Sequence, residues 1–327
     1  MVRGPAGQIL ISVINMTTTG NTRVMLLCST EFAFPVMQEL FFFQQLAVVA
    51  VPRKHKGFVE NVQALLKDTN VPIVELDKDS FAGDLSSAIK QYDVNLGLIM
   101  TFGYLLPAIV YNLPAKGFFN VHPGPLPAYR GADPVFWQVY NREEQAGVSI
   151  HKLDDGYDTG PVVLTQMIKT KVSDSYGILN SRLAALATTM VRVLLKLAAF
   201  DLKIPLKPQP ESNVYYARKT AKDVTINWQE MDADSIIALI NACNPWNKGA
   251  VTKFNNRIIR ILLAEKKTGI SMAGKTPGSI EVLENKSVVV STLNDEVLKL
   301  EIVYLEEGFL YASHLAEIGL VPGSCLT

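Results

Sequence analysis

Two short stretches combine residue types and spacing that could do chemistry. The first, FFNVHPGPLPAYRG at 118–131, sets Asn120 and His122 two apart after an apolar run and stiffens the next residues with Pro123, Pro125 and Pro127. On an extended segment, residues i and i+2 point to one side. An amide donor and an imidazole aimed at one point suit a developing oxyanion, as in acyl transfer. The competing structural use is a strand-to-loop turn in which both side chains bond the backbone. The second stretch, KLDDGYDTGPVV at 152–163, groups Asp154, Asp155 and Asp158 around Gly156. As a calcium loop it fails, because the spacing is wrong and no glutamate closes it. As a carboxylate loop it makes sense: an aspartate near His122 would favour the protonated ring and fix its orientation.

These residues need elements to hold them. RVMLLCS (23–29), LAVVAVP (46–52), VPIVEL (71–76), NLGLIM (95–100) and GFFNV (117–121) read as buried strands, while FVENVQALLKD and FAGDLSSAIKQ have the apolar spacing of amphipathic helices. Strands alternating with helices predict an α/β domain at 23–203 with a Rossmann-like, doubly wound, mostly parallel sheet. Ligands bind such sheets outside the carboxyl ends of the strands, and Asn120 and His122 sit at one such end. Pro205, Pro208 and Pro210 mark residues 204–214 as a semi-stiff linker. Beyond it, DADSIIALINACNPW (232–246) reads as a helix. The runs GAVTKF, RIIRILLAEK, GSIEVLE, KSVVVST and VLKLEIVYL then predict a second, smaller β-barrel-like domain at 215–327.

The 327 residues are 48% hydrophobic and 19% charged with no net charge, which describes a globular chain and advertises no polyanionic partner. Cys28, Cys243 and Cys325 are far apart and form no CxxC pair, so neither a disulfide framework nor a zinc site is expected. Reduced thiols fit a cytoplasmic location. The apolar run at 184–200 is interrupted by Arg192 and Lys196 and reads as a core helix rather than a membrane span. The first 22 residues carry a basic residue before a brief apolar run, the outline of a leader. No secreted character comes after it, so they read as an extension before the first strand.

NVHPGPLPAYRGADPVFW followed by GVSIHKLDDGYDTGPVV resembles the folate-dependent formyltransferase family, which includes the methionyl-tRNA, glycinamide ribonucleotide and amino-sugar enzymes. The family's Asn-x-His falls on Asn120 and His122, and the aspartate of its D-x-G-x-D-T-G loop on Asp158. VYYARKTAKDVTINW, LINACNPWNKGA, KTPGSIEV and LVPGSCL are similar to the C-terminal domain of the tRNA-directed members, which implies an open, oligonucleotide-binding-type barrel there. The resemblance implies 10-formyltetrahydrofolate as co-substrate and no metal. Asn120 and protonated His122 would stabilise the oxyanion, with Asp158 holding His122 charged. It also implies a folate pocket where Phe102, Gly103, Tyr104 and Leu105 meet Gly124, Pro125, Leu126 and Pro127, and Asp154, Asp155 and Gly156.

The acceptor is read from departures. The first loop, CSTEFA at 28–33, has Cys28 where the tRNA-directed members have glycine, and only RKHKG, with Lys54 and Lys56, stands for their long basic loop. From Pro205 onward there are thirteen Lys and Arg against fourteen Asp and Glu, whereas a domain gripping tRNA normally presents a basic face. The expected acceptor is therefore a small amine such as an amino sugar, an amino acid derivative or a biosynthetic intermediate. Methionyl-tRNA is the alternative, and hydrolysis of the formyl donor a third reading. Trp137 is expected either beside the acceptor or packed within its helix.

Overall fold

The computed structural model describes residues 22–212, 214–320 and 322–327; nearly all of the N-terminal extension lies outside them. Seven strands form the first sheet: β1 (Val24–Cys28), β2 (Leu46–Pro52), β3 (Ile73–Leu76), β4 (Leu96–Met100), β5 (Phe118–His122), β6 (Gln145–Lys152) and β7 (Val162–Lys169). Their order is β3-β2-β1-β4-β5-β6-β7. The pairings from β3 to β5 are parallel, and β5 pairs β6 antiparallel. β1, β2 and β4 are buried along their whole length, as unbroken apolar runs in a parallel sheet must be. The order reverses between β1 and β4, which sets a ligand crevice beside the carboxyl ends of the central strands.

Crossover helices cover this sheet. After α1 (Phe34–Phe42), α2 (Lys56–Leu66) buries Phe58, Val59, Val62 and Leu66, one face at helical spacing. α3 (Phe81–Gln91) buries Leu85, Ala88 and Ile89, which pack with Met25, Val48, Ile99 and Phe118. A short α4 (Ala108–Tyr111), α5 (Pro134–Tyr140) and α6 (Tyr176–Ala199) follow. By length and composition α6 could cross a membrane. Half of its apolar window is nevertheless buried, Lys196 on the same helix is buried too, and Arg192 is ion-paired to Glu39.

Beyond Tyr216, α7 (Ala233–Cys243) starts at Asp232, whose carboxylate accepts the Ser235 N–H at 2.8 Å, a helix N-cap. β8 (Ala250–Phe254), β9 (Arg257–Lys267), β10 (Ile280–Val282), β11 (Val288–Ser291), β12 (Val297–Leu305) and β13 (Gly308–Tyr311) form an antiparallel sheet ordered β10-β11-β12-β9-β8, with β13 on β12. A bulge after Leu300 shifts the β12–β9 register and bends the sheet. Trp228, Ile236, Leu239, Ile240, Ile261 and Val303 are the heart of its core.

The chain divides into two compact units, and each is discontinuous in sequence. One holds residues through Gly131, Ala146–Ile168 and Ser181–Tyr215; the other holds Ala132–Gln145, Lys169–Asn180 and Tyr216–Thr327. The sequence reading cuts the chain once, at a linker spanning 204–214. The structure instead draws α5 into the second unit, where Phe136 joins the core cluster, and draws the proline-rich segment into the first. Lys207 and Val162 exchange both backbone hydrogen bonds, which lays that segment along the start of β7.

Candidate active site

Strand pairing brings the polar residues together. Asn120 and His122 lie on one face of β5, and the antiparallel register sets them opposite His151 and Ser149 of β6. The loop after β6 then returns Asp158 to this face. Its carboxylate Oδ1 accepts from Asn120 Nδ2 at 3.1 Å and lies 3.5 Å from both His122 Nδ1 and His151 Nε2. Its Oδ2 accepts the Gly131 N–H at 3.0 Å. Asp158 has φ +56°, a left-handed backbone that few residues other than glycine adopt. Gly160 permits the turn: a Cβ there would lie 1.8 Å from the Lys152 carbonyl oxygen.

His122 is 4% exposed, and its ring is fixed from two sides. Nε2 donates to the Tyr129 carbonyl at 2.6 Å, and a Cβ on Gly124 would stand 2.9 Å from the same nitrogen. Burial pushes the His122 pKa below the ordinary histidine value, against the upward pull of Asp158 and of the Tyr129 carbonyl. The desolvation that comes with an enclosed ring outweighs a carboxylate 3.5 Å away. Burial alone would raise the Asp158 carboxyl. The His122 and His151 rings and the Gly131 N–H outweigh it and hold that group well below the carboxylate range, so Asp158 is ionised.

Sequence reasoning does not single out His151, which is 2% exposed. A carbonyl only accepts, so the 3.1 Å contact with the Lys152 oxygen puts a proton on Nδ1. Nε2 then accepts from Asn120 Nδ2 at 3.1 Å. The signal was available: once SIHK is a strand, Ser149 and His151 alternate with buried Val148 and Ile150 and must share the opposite face. In this state both Asn120 amide hydrogens are engaged, by His151 and Asp158, so serving an oxyanion means exchanging one of these bonds.

Of the three segments expected to hold folate, 124–127 and 154–156 have hydrogen bonds that fix them near this face or to a neighbouring element. The Tyr111 hydroxyl, at the end of α4 after the 102–105 loop, donates to Asp155 Oδ1 at 2.7 Å. Asp154 Oδ1 accepts from the Gly156 N–H and the Thr159 hydroxyl, which closes the acidic loop on itself. Phe102 packs edge-on against Tyr104, Lys54 Nζ lies 4.9 Å from the Tyr104 ring centre, and Gly103 and Leu105 are exposed. Gly124 and Pro125 lead to buried Leu126, whose N–H donates to Ser149 Oγ, and the Leu126–Pro127 bond is cis. Trp137 packs within the second unit against Phe136, Tyr140 and Tyr216. Among the described residues, no group of three or more His, Cys, Asp or Glu side chains is arranged to hold a metal ion.

Comparison with known proteins agrees with this chemistry. The profile described as formyl transferase matches residues 45–194, and that described as formyl transferase, C-terminal domain, matches 219–311. A methionyl-tRNA formyltransferase of Pelagibacter ubique is 29% identical over 85% of this chain and 89% of its own length. One from Dictyoglomus turgidum is 30% identical over 74% of this chain and 79% of its own. Among solved structures, an N-formyltransferase from Helicobacter canadensis, in complex with folinic acid and dTDP-3-aminofucose, superposes with a TM-score of 0.63. Its identity is 14%, with 85% of this chain and 98% of that one covered, a likeness of fold.

Proposed function

The chain belongs to the formyl transferase family, and from that membership we propose that it moves the formyl group of 10-formyltetrahydrofolate onto the amine of methionyl-tRNA. The relatives that match along both units are methionyl-tRNA formyltransferases, which favours that acceptor over a small amine. One observation carries the chemistry: a mostly enclosed, ionised carboxylate within hydrogen-bond reach of Asn120 and 3.5 Å from His122.

The uncharged amine attacks the formyl carbon and the carbonyl electrons move onto oxygen. Asn120 donates to this oxyanion, and His122 joins it once Nδ1, beside Asp158, has taken up a proton from solvent. Removing one such donor typically costs about 10²–10³ in rate. The amine proton leaves through water towards Asp158 and is passed back through water to N10 of the folate as its bond to the formyl carbon breaks. The products are a formamide and tetrahydrofolate. The loops at 102–105, 124–127 and 154–156 hold the pterin largely through backbone groups, and the Tyr111–Asp155 bond supports their acting as one wall.

A second reading, with an amino sugar or other small amine as acceptor, is favoured by the charge balance beyond Pro205, thirteen basic against fourteen acidic residues. The test supplies 10-formyltetrahydrofolate with methionyl-tRNA in one arm and a pool of small amines in another, with products read by mass spectrometry. Formylmethionyl-tRNA whose yield falls steeply with salt supports the main reading, and formylation of small amines alone supports the second. Formate release in both arms with no formamide product overturns both.

A further inference from the structure

Residues 204–212 have the composition of a connector, yet one of their side chains is built into the site. Tyr129 and Gly131 supply the backbone groups that hold His122 and Asp158, respectively. Between them Arg130, 9% exposed, turns its guanidinium to Gln209: Nε and Nη2 donate to Oε1 at 3.1 and 2.8 Å, and Nη2 reaches the Pro210 carbonyl at 3.4 Å. The same Gln209 spends its amide hydrogens on the Asp158 carbonyl at 2.9 Å and the Gly160 carbonyl at 2.7 Å. The hydrogen-bonded path thus closes on itself, from His122 through Tyr129, Arg130 and Gln209 to Asp158, which faces His122 again.

We propose that Gln209 is a positioning residue for formyl transfer, holding the main chain of the acidic loop so that the Asp158 carboxylate faces His122 and Asn120. This rests on the roles of Asn120, His122 and Asp158 in the proposed function. Such a hold matters at Asp158, because its left-handed backbone is one that aspartate tolerates but does not favour. Gln209 is itself well anchored. Pro208 and Pro210 restrict the chain on either side, and the paired Lys207–Val162 backbone bonds, at 2.8 and 2.9 Å, fix the segment two residues upstream. An amide is the right group, since it must accept from Arg130 on one side and donate to two carbonyls on the other. Partners that orient a reacting group are commonly worth a factor of about 10–100.

The test compares Gln209→Ala with Gln209→Glu in the full chain. Glutamate keeps the shape and strengthens the contact to Arg130, but it has no hydrogen to give to Asp158 or Gly160. Both variants should lose about 10–100-fold in kcat with KM for the formyl donor changed less than about threefold. Thermal unfolding should stay close to that of the parent protein. In parallel, NMR titration of the His122 ring without any substrate should move to lower pH in both variants, because the carboxylate that raises its pKa has turned away. That readout stands even if the acceptor has been misassigned. Parent-like turnover in Gln209→Glu would overturn the proposal and leave Gln209 a mere anchor for Arg130. An unmoved His122 titration in both variants would overturn it as well.

Discussion

The two units treat charge in opposite ways. In the first, the buried His122 and His151 rings each lie 3.5 Å from the one carboxylate of Asp158, which is itself mostly enclosed. In the second, Lys266 pairs with Asp234 and Glu296, Lys267 with Glu265, Lys275 with Glu281, Lys299 with Glu301 and Arg257 with Glu307, all at partly or fully exposed positions. Exposed pairs of this kind are worth little, because water already solvates them. A charge count is therefore a poor guide to either unit. In the first it overlooks a corner where two buried imidazoles face one carboxylate, and in the second it records pairs that cancel within a few ångströms.

The contrast can be broken by substitution, beginning where burial is deepest. His122→Ala should lower formyl transfer by about a thousandfold while leaving the circular dichroism of the protein unchanged. Next, Asn120→Ala should cost about a hundredfold. His151→Phe, which removes the acceptor that turns the Asn120 amide, should cost about tenfold, with His151→Gln recovering most of it. Stability should follow pH through the same corner. His122 and Asp158 both have folded pKa values below their ordinary values of 6.5 and 3.8, so the folded state binds fewer protons than the unfolded one. Their contribution is complete above those values and is lost as pH falls through the depressed ones. Urea midpoints should decline below about pH 6.5 and again below about pH 4, and the first decline should vanish in His122→Ala. The smallest effect belongs to the second unit: Glu307→Gln, at an exposed pair, should leave the urea midpoint where it was.

Much of the first unit is legible in sequence because its central strands are buried on both faces. LAVVAVP is β2 to the residue, and Asn120 and His122 stand at the end of β5. β6 and β7 are harder to read. QAGVSIHK mixes polar and apolar residues, and VVLTQMIK has one buried residue in eight, so neither shows the continuous run that marks its neighbours. Without β6, the partnership of His151 with Asn120 is invisible. The depressed pKa of His122 is equally hidden, since it depends on an enclosure that Gly124 and Tyr129 help to build around the ring. The proline-rich segment misleads for the opposite reason. Its composition is that of a linker, and the one residue that matters, Gln209, lies between prolines with no periodic pattern to announce it.

The most direct test tracks one formyl group through a single turnover. Enzyme in excess over 10-formyltetrahydrofolate is mixed with methionyl-tRNA, and the formamide is counted against time for the parent protein and for Asp158→Asn. That variant keeps the shape and removes only the charge beside the imidazole. We expect the parent to transfer the formyl group and the variant to do so at least about a hundredfold more slowly. Equal rates in the two would contradict the account, because formyl transfer would then need no carboxylate at that corner.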